Sequence, residues 1–195
     1  MLFRSDALRR RVRLMDTNAH IGAVMSENNC RPRSAETTRA DVDQAFMREA
    51  LAEAALGDFP FGAVIVSEGR IVARGRNSGL RLNDPTAHGE MMAIRDFISR
   101  HPAEHLTSAT VYTTGEPCPM CMGALIWCGV RRLVFAAPIE ELSTRIGQIL
   151  TPSHEIRVKA SFSDMEITGG GLEREALALF STAPDRKSTR LNSSH

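Results

Sequence analysis

Two short motifs in this 195-residue chain place metal-binding and acid–base side chains in close register. Pro117-Cys-Pro-Met-Cys121 carries two thiols at i and i+3. A helix with about 3.6 residues per turn sets those positions on nearly the same side, so both sulfurs can face one ion. Pro117 and Pro119 suit a first helical turn, where backbone N–H groups lack partners within the helix. The positive end of such a helix favours thiolate over thiol, and thiolate is the form that binds zinc. Upstream, His88-Gly-Glu90 joins an imidazole and a carboxylate two positions apart. Inside a helix they would point about 200° apart, so the pair makes sense only at a first turn, where ligands reach past the helix end. Gly89 between them lets another group approach the backbone closely.

His88, Cys118 and Cys121 are three ligands, which leaves a tetrahedral zinc one open position for water. Zinc lowers the pKa of that water from about 15.7 toward ~7 and so supplies hydroxide at neutral pH. Glu90 is then the acid–base group. It takes the water's proton as hydroxide attacks a ring carbon bearing an amino group, and it returns protons to the ring nitrogen and the leaving ammonia. Other uses of these cysteines exist. A C-x-x-C alone also serves redox pairs and half of a structural zinc site, and Cys128 could close the site as a fourth ligand. Closed sites usually pair ligand clusters at both ends, and a redox role leaves His88 and Glu90 without a task. Cys128 reads as a small buried hydrophobe and Cys30 as an unpaired tail thiol. His20, His101, His105, His154 and His195 lack partner spacing.

The elements that must position these motifs follow from periodicity and punctuation. Asp41-Val-Asp-Gln44 has the shape of a helix start, a capping acid with Gln three residues on. Apolar residues then repeat at helical spacing up to Gly57. Residues 61–67 read as a compact apolar strand, Glu68-Gly69 as a turn and 71–74 as the returning strand of a hairpin. A polar loop spans 77–86, and a helix runs from Thr86 to about Arg100. Residues 109–113 form a β-branched strand. A helix follows the C-x-x-C to Gly129, and 131–137 is a further strand. The pattern then predicts helix over 139–150, strand over 156–168 and helix over 172–180. Strands alternating with helices argue for an α/β sheet covered on both faces, and the hairpin makes that sheet mixed.

Composition narrows the class. Hydrophobic residues are 43% of the chain, enough for a real core. No apolar run approaches the roughly 18 residues that a membrane helix needs. The formal charge of +1 is an average over unlike parts. Residues 1–40 hold eight arginines and four acids and read as a disordered extension or a start assigned too early. Residues 185–195, DRKSTRLNSSH, are polar and aperiodic and are expected to be a non-native tail. Between them, 41–184 is the expected catalytic domain, with 13 basic and 18 acidic residues, a net of −5, and Lys159 as its one lysine. RNA binding needs several Lys/Arg to neutralise phosphates, so this balance disfavours it, although Arg131-Arg132 and Arg70, Arg74, Arg76 and Arg81 could form a local patch. Unpaired thiols beside a metal-binding pair point to a reducing cytoplasm.

Quoted as they stand, FPFGAVIV (59–66), RN (76–77), NDPTAHGE (83–90), YTTGEPCPMC (112–121) and GALIW (123–127) resemble the cytidine-deaminase-like superfamily. Within it the chain is similar to bacterial guanine deaminases and to tRNA adenosine deaminases, with Gly89 where alanine is usual. The resemblance implies a three-layer α/β/α fold with a five-stranded mixed sheet, zinc as cofactor and assembly as a homodimer. It also implies that Asn77 hydrogen-bonds the base, an amide suiting a purine edge, and that Phe61 and Trp127 line the pocket, core packing being the other use of Trp127. Guanine deaminases further hold the base with an acid beyond the fourth strand, but 142–153 contains no Asp or Glu. The expected activity is hydrolytic deamination of a small free purine, guanine first. The alternatives are adenosine-to-inosine conversion in tRNA and, outside enzymes, a silent deaminase-like subunit, against which the presence of Glu90 weighs.

Overall fold

Strand β1 (Gly62–Ser67) turns directly back into β2 (Arg70–Arg76). Ser67 pairs with Arg70, and both loop residues, Glu68 and Gly69, have φ near +50° and +71°. This two-residue turn matches the twist of the strands it joins. On its other side β1 pairs antiparallel with β3 (Thr110–Gly115). Then β4 (Arg132–Ala137) and the short β5 (Glu166–Thr168) add in parallel, giving a five-stranded mixed sheet in the order β2-β1-β3-β4-β5. The computed structural model describes residues 37–146 and 149–182. The expected tail at 185–195 and nearly all of the expected extension at 1–40 lie outside the described residues.

Alternation along the strands fills both faces. Ala63 and Ile65 of β1, Val111 of β3 and Leu133 of β4 point to one side. There they meet α2 (Gly89–Ile98) through Ala93, Ile94 and Phe97, and α3 (Pro119–Trp127) through Met122, Leu125 and Ile126. Val64, Val66, Tyr112 and Val134 point to the other side. They pack on α1 (Arg39–Ala54), α4 (Ile139–Ile146) and α6 (Glu173–Ser181). Period-2 burial on both faces is what a sheet between two helical layers requires. The expected three-layer α/β/α architecture is therefore present. Helix α3 ends where Gly129 adopts φ +69° and the N–H groups of Gly129 and Val130 bond back to Ile126 and Leu125. No helix among the described residues is long and apolar enough to cross a membrane.

Two elements differ from the sequence expectation. Helix α1 begins at Arg39. Its cap is Thr38, and Asp41 is the third helical residue, completing the reciprocal box with its carboxylate on the Thr38 N–H. Asp41 carries the acid of that box, one turn inside the start. The stretch read as strand over 156–168 holds α5 (Ser153–Lys159) and then β5 alone. The alternation Ile156-Arg-Val-Lys159 imitates a strand, but Pro152 presets an extended residue before a helical first turn, and Ile156 packs on the core beside α3.

Candidate active site

One end of the strands collects the chemistry. Phe61 precedes β1, Asn77 follows β2 and Glu116-Pro-Cys118 follows β3, while the start of α2 closes in from the side. Two close approaches make this possible. A Cβ at Gly75 would lie 2.2 Å from Ala93 N and Gly89 O, and one at Gly89 would lie 2.7 Å from the Phe61 carbonyl oxygen. Glycine at both positions lets α2 lie directly against β2 and the residue entering β1. The Phe61 segment is held in turn by Thr114, fully buried, whose hydroxyl donates to Pro60 O at 2.9 Å and accepts from Gly62 N–H at 3.1 Å.

His88 is the residue capping α2, extended at φ −72°, ψ 160°, so its side chain projects past the first turn as the i, i+2 spacing demands. Cys118 caps α3 in the same way, with Pro119 as the first helical residue and Cys121 as the third. The ligand atoms converge. Cys118 Sγ lies 3.6 Å and Cys121 Sγ 3.5 Å from His88 Nδ1, with 3.7 Å between the sulfurs. Tetrahedral zinc, with Zn–S of about 2.3 Å and Zn–N of about 2.0–2.1 Å, requires separations of about 3.6 Å for S···N and about 3.8 Å for S···S. The donor set fits. Among the described residues these three side chains form the one His/Cys/Asp/Glu group with metal-holding geometry.

The electrostatics agree with that use. The Cys121 thiol bonded to the Cys118 sulfur holds the latter well below the usual thiol range, with His88 adding to the effect against the opposing pull of burial, which favours the thiolate form at Cys118. The same pairing, with burial, pushes Cys121 up. Glu90 is 3% exposed, and burial raises its carboxyl above the usual range while the charge of His88 works the other way. Its Oε2 has no hydrogen-bond partner among the described residues.

Asn77 is 1% exposed. Its backbone N–H donates to Phe61 O and the next N–H, of Ser78, to Ala87 O, which ties it between Phe61 and His88. Its Oδ1 accepts from Gly79 N–H at 3.2 Å, whereas Nδ2 has no partner among the described residues. Phe61 is buried, with its ring parallel to His88 (centroids 6.3 Å, 6°) and edge-on to Phe180 of α6 at 4.9 Å. The fold thus brings together His88, Gly89, Glu90, Cys118, Cys121, Phe61 and Asn77. It does not bring Trp127 into that buried cluster. The indole, at the last residue of α3, is 80% exposed and lies against Phe162 with centroids 5.1 Å apart.

Sequence reasoning gave Glu116 no role. It is buried, and its two carboxylate oxygens accept from the N–H groups of Ile139 at 2.9 Å and Ser153 at 2.6 Å. The available signal was a lone acid in an otherwise apolar stretch immediately before the Pro-Cys. Five of the six arginines expected to form a basic patch, all but Arg70, face carboxylates. Arg74 pairs with Glu49 at 2.8 Å and Glu53 at 3.6 Å, Arg76 with Glu53 at 3.6 Å and Arg81 with Asp58 at 2.7 Å. Arg131 faces Asp164 at 3.7 Å and Arg132 Asp43 at 2.6 Å.

A three-ligand zinc set beside a buried glutamate at one end of the strands of a mixed α/β/α sheet defines a zinc deaminase of nucleobases or nucleosides. Residues 40–137, half of the chain, match the family model of the cytidine and deoxycytidylate deaminase zinc-binding region, and the chain belongs to that family. It is 35% identical over 153 residues to the tRNA-specific adenosine deaminase of Haemophilus influenzae, taking in 76% of this chain and 86% of that protein. Against the guanine deaminase of Bacillus subtilis it is 47% identical over 78 residues, 40% of this chain and 50% of that protein. It spans only 8% of the length of a chloroplastic tRNA(adenine(34)) deaminase of Arabidopsis thaliana. Among solved structures, a mutant of NE0047 in complex with 8-azaguanine aligns with a TM-score of 0.62 at 25% identity, over 73% of this chain and 85% of that one.

Proposed function

We propose that this chain hydrolyses the amino group of a small purine, guanine first, to give xanthine and ammonia. His88, Cys118 and Cys121 hold the zinc. When bound, zinc brings the pKa of water from about 15.7 toward ~7. Glu90 Oε2, buried and unpaired among the described residues, takes a proton from the attacking water and delivers it to a ring nitrogen, then takes the second proton from the hydroxyl now on the ring carbon and passes it to the amine, which leaves as ammonia. Asn77 Nδ2 donates to an acceptor on the base, its orientation set by Oδ1 on Gly79. Phe61 stacks beside His88 and excludes water from the reacting face.

The observation that carries the choice of a free base is the state of the arginines. Arg74, Arg76, Arg81, Arg95, Arg131 and Arg132 all face carboxylates of the chain itself. Phosphate contacts would have to displace those partners, within a segment of net −5. One observation favours the second reading, adenosine-to-inosine conversion in tRNA: the match to the H. influenzae tRNA-specific enzyme runs through 86% of that protein. Ammonia release from guanine, adenine, cytosine and their nucleosides, beside inosine formation in a tRNA anticodon stem, separates the two. Turnover of guanine without inosine formation supports the proposal. Inosine in tRNA with no turnover of any free base overturns it.

A further inference from the structure

Glu116 is a carboxylate, 4% exposed, with no place in the chemistry above. Its Oε2 accepts from Ile139 N–H and its Oε1 from Ser153 N–H. These are the first residues of α4 and α5. The Glu116 N–H itself donates to Ala137 O, at the end of β4, at 2.8 Å. Cys118 is two residues further on, past a proline that removes backbone freedom. Three hydrogen bonds therefore converge on the residue from which the chain enters the first metal ligand.

The carboxylate chemistry suits this place specifically. Two backbone N–H donors need two acceptor oxygens. A glutamine of the same length offers one acceptor and sets an N–H against the other donor, and an aspartate is one methylene short. An apolar residue would strand two buried N–H groups without an acceptor.

We propose that Glu116 is a positioning residue for the metal centre: by clasping the first N–H groups of α4 and α5 it clamps the backbone entering Cys118 and fixes that sulfur against Cys121 and His88. Ligand constellations must be held within about 0.5 Å to work, and the three donor atoms here span only 3.5–3.7 Å. The residue acts on the ligand through the backbone and touches neither metal nor substrate. The inference rests on the zinc triad proposed above.

The test is the zinc dissociation constant of the full chain, by competition with a chromophoric chelator, beside its Tm. Glu116→Gln weakens zinc at least about tenfold, the range for partners that orient a ligand. Glu116→Asp keeps two acceptor oxygens but draws them back by one methylene. It weakens zinc in the same direction by about threefold, and it carries the test alone if Glu116→Gln does not fold. Asp43→Asn breaks the ion pair with Arg132 at the opposite end of the strands. It lowers Tm while leaving zinc affinity within twofold. Zinc binding by both Glu116 variants within twofold of the wild type overturns the role of Glu116, as does an equal loss in Asp43→Asn. The triad is tested separately: the wild type binds one zinc per chain and His88→Ala does not. A wild type that binds no zinc overturns the triad and this inference together.

Discussion

Asn77 presents a donor that the protein itself does not use, and replacing it by leucine separates stability from catalysis. The side chain is 1% exposed and Nδ2 has no partner. Keeping a buried polar group unpaired costs about 1–3 kcal/mol, and Asn77→Leu, of similar volume, relieves it. The variant also loses the Oδ1 bond to Gly79 N–H, worth about 0.5–1.5 kcal/mol. Gly79 is only partly buried, so its N–H can turn to water. The two effects nearly cancel, and the melting curve followed by circular dichroism should move by the equivalent of about 1 kcal/mol or less. Catalysis has no such offset. A hydrogen bond to the base worth about 1–3 kcal/mol corresponds to a loss of about fivefold to 150-fold in kcat/KM, read by steady-state ammonia release with zinc content unchanged. A variant destabilised by more than about 2 kcal/mol with wild-type kcat/KM would refute the reasoning, because Nδ2 would then serve the fold and not the base.

Three further outcomes follow from the geometry. Gly75→Ala places a Cβ 2.2 Å from backbone atoms of Gly89 and Ala93. It should cost at least about 3 kcal/mol in urea unfolding and weaken zinc binding, since α2 carries His88. Burial would raise the Asp43 carboxyl, but Arg132 and Tyr112 outweigh it and hold it below the ordinary value. A depressed folded value means stability that is present above about pH 4 and is lost as pH falls through the folded pKa. Asp43→Asn should therefore be less stable than the wild type by about 3 kcal/mol at pH 7, and urea unfolding should show that gap narrowing below about pH 4. Trp127→Ala, at an exposed site against Phe162, should change kcat/KM for guanine by less than about threefold in steady-state assays, unlike Asn77→Leu.

Local chemistry made much of this centre legible in advance. The i, i+2 His–Glu pair makes sense only at a first turn and the prolines around the i, i+3 thiols suit one, and His88 and Cys118 do cap their helices. The unbroken apolar run Ala63-Val-Ile-Val66 likewise announced a strand, which is buried on both faces. The rest depended on contacts between distant residues. Thr38 competes with Asp41 as a cap, and the register follows where the core of α1 lands. The packing of Ile156 turns an alternating pattern into a helix. Arg132 finds Asp43 across 89 positions and Glu116 reaches Ser153 across 37, distances at which periodicity carries no information. Of the basic patch read from Arg70, Arg74, Arg76 and Arg81, the last three face carboxylates that lie elsewhere in the chain, pairings that the pattern of arginines alone does not show.

The most direct measurement is ammonia and xanthine released from guanine by zinc-loaded wild type and by Glu90→Gln carrying the same zinc. The expected result is equimolar ammonia and xanthine from the wild type. Glu90→Gln should fall by about 10²–10⁴-fold in kcat, the contribution of a positioned acid–base group, with its zinc retained. Equal rates for the two proteins, or guanine left intact by a fully loaded wild type, would contradict the account.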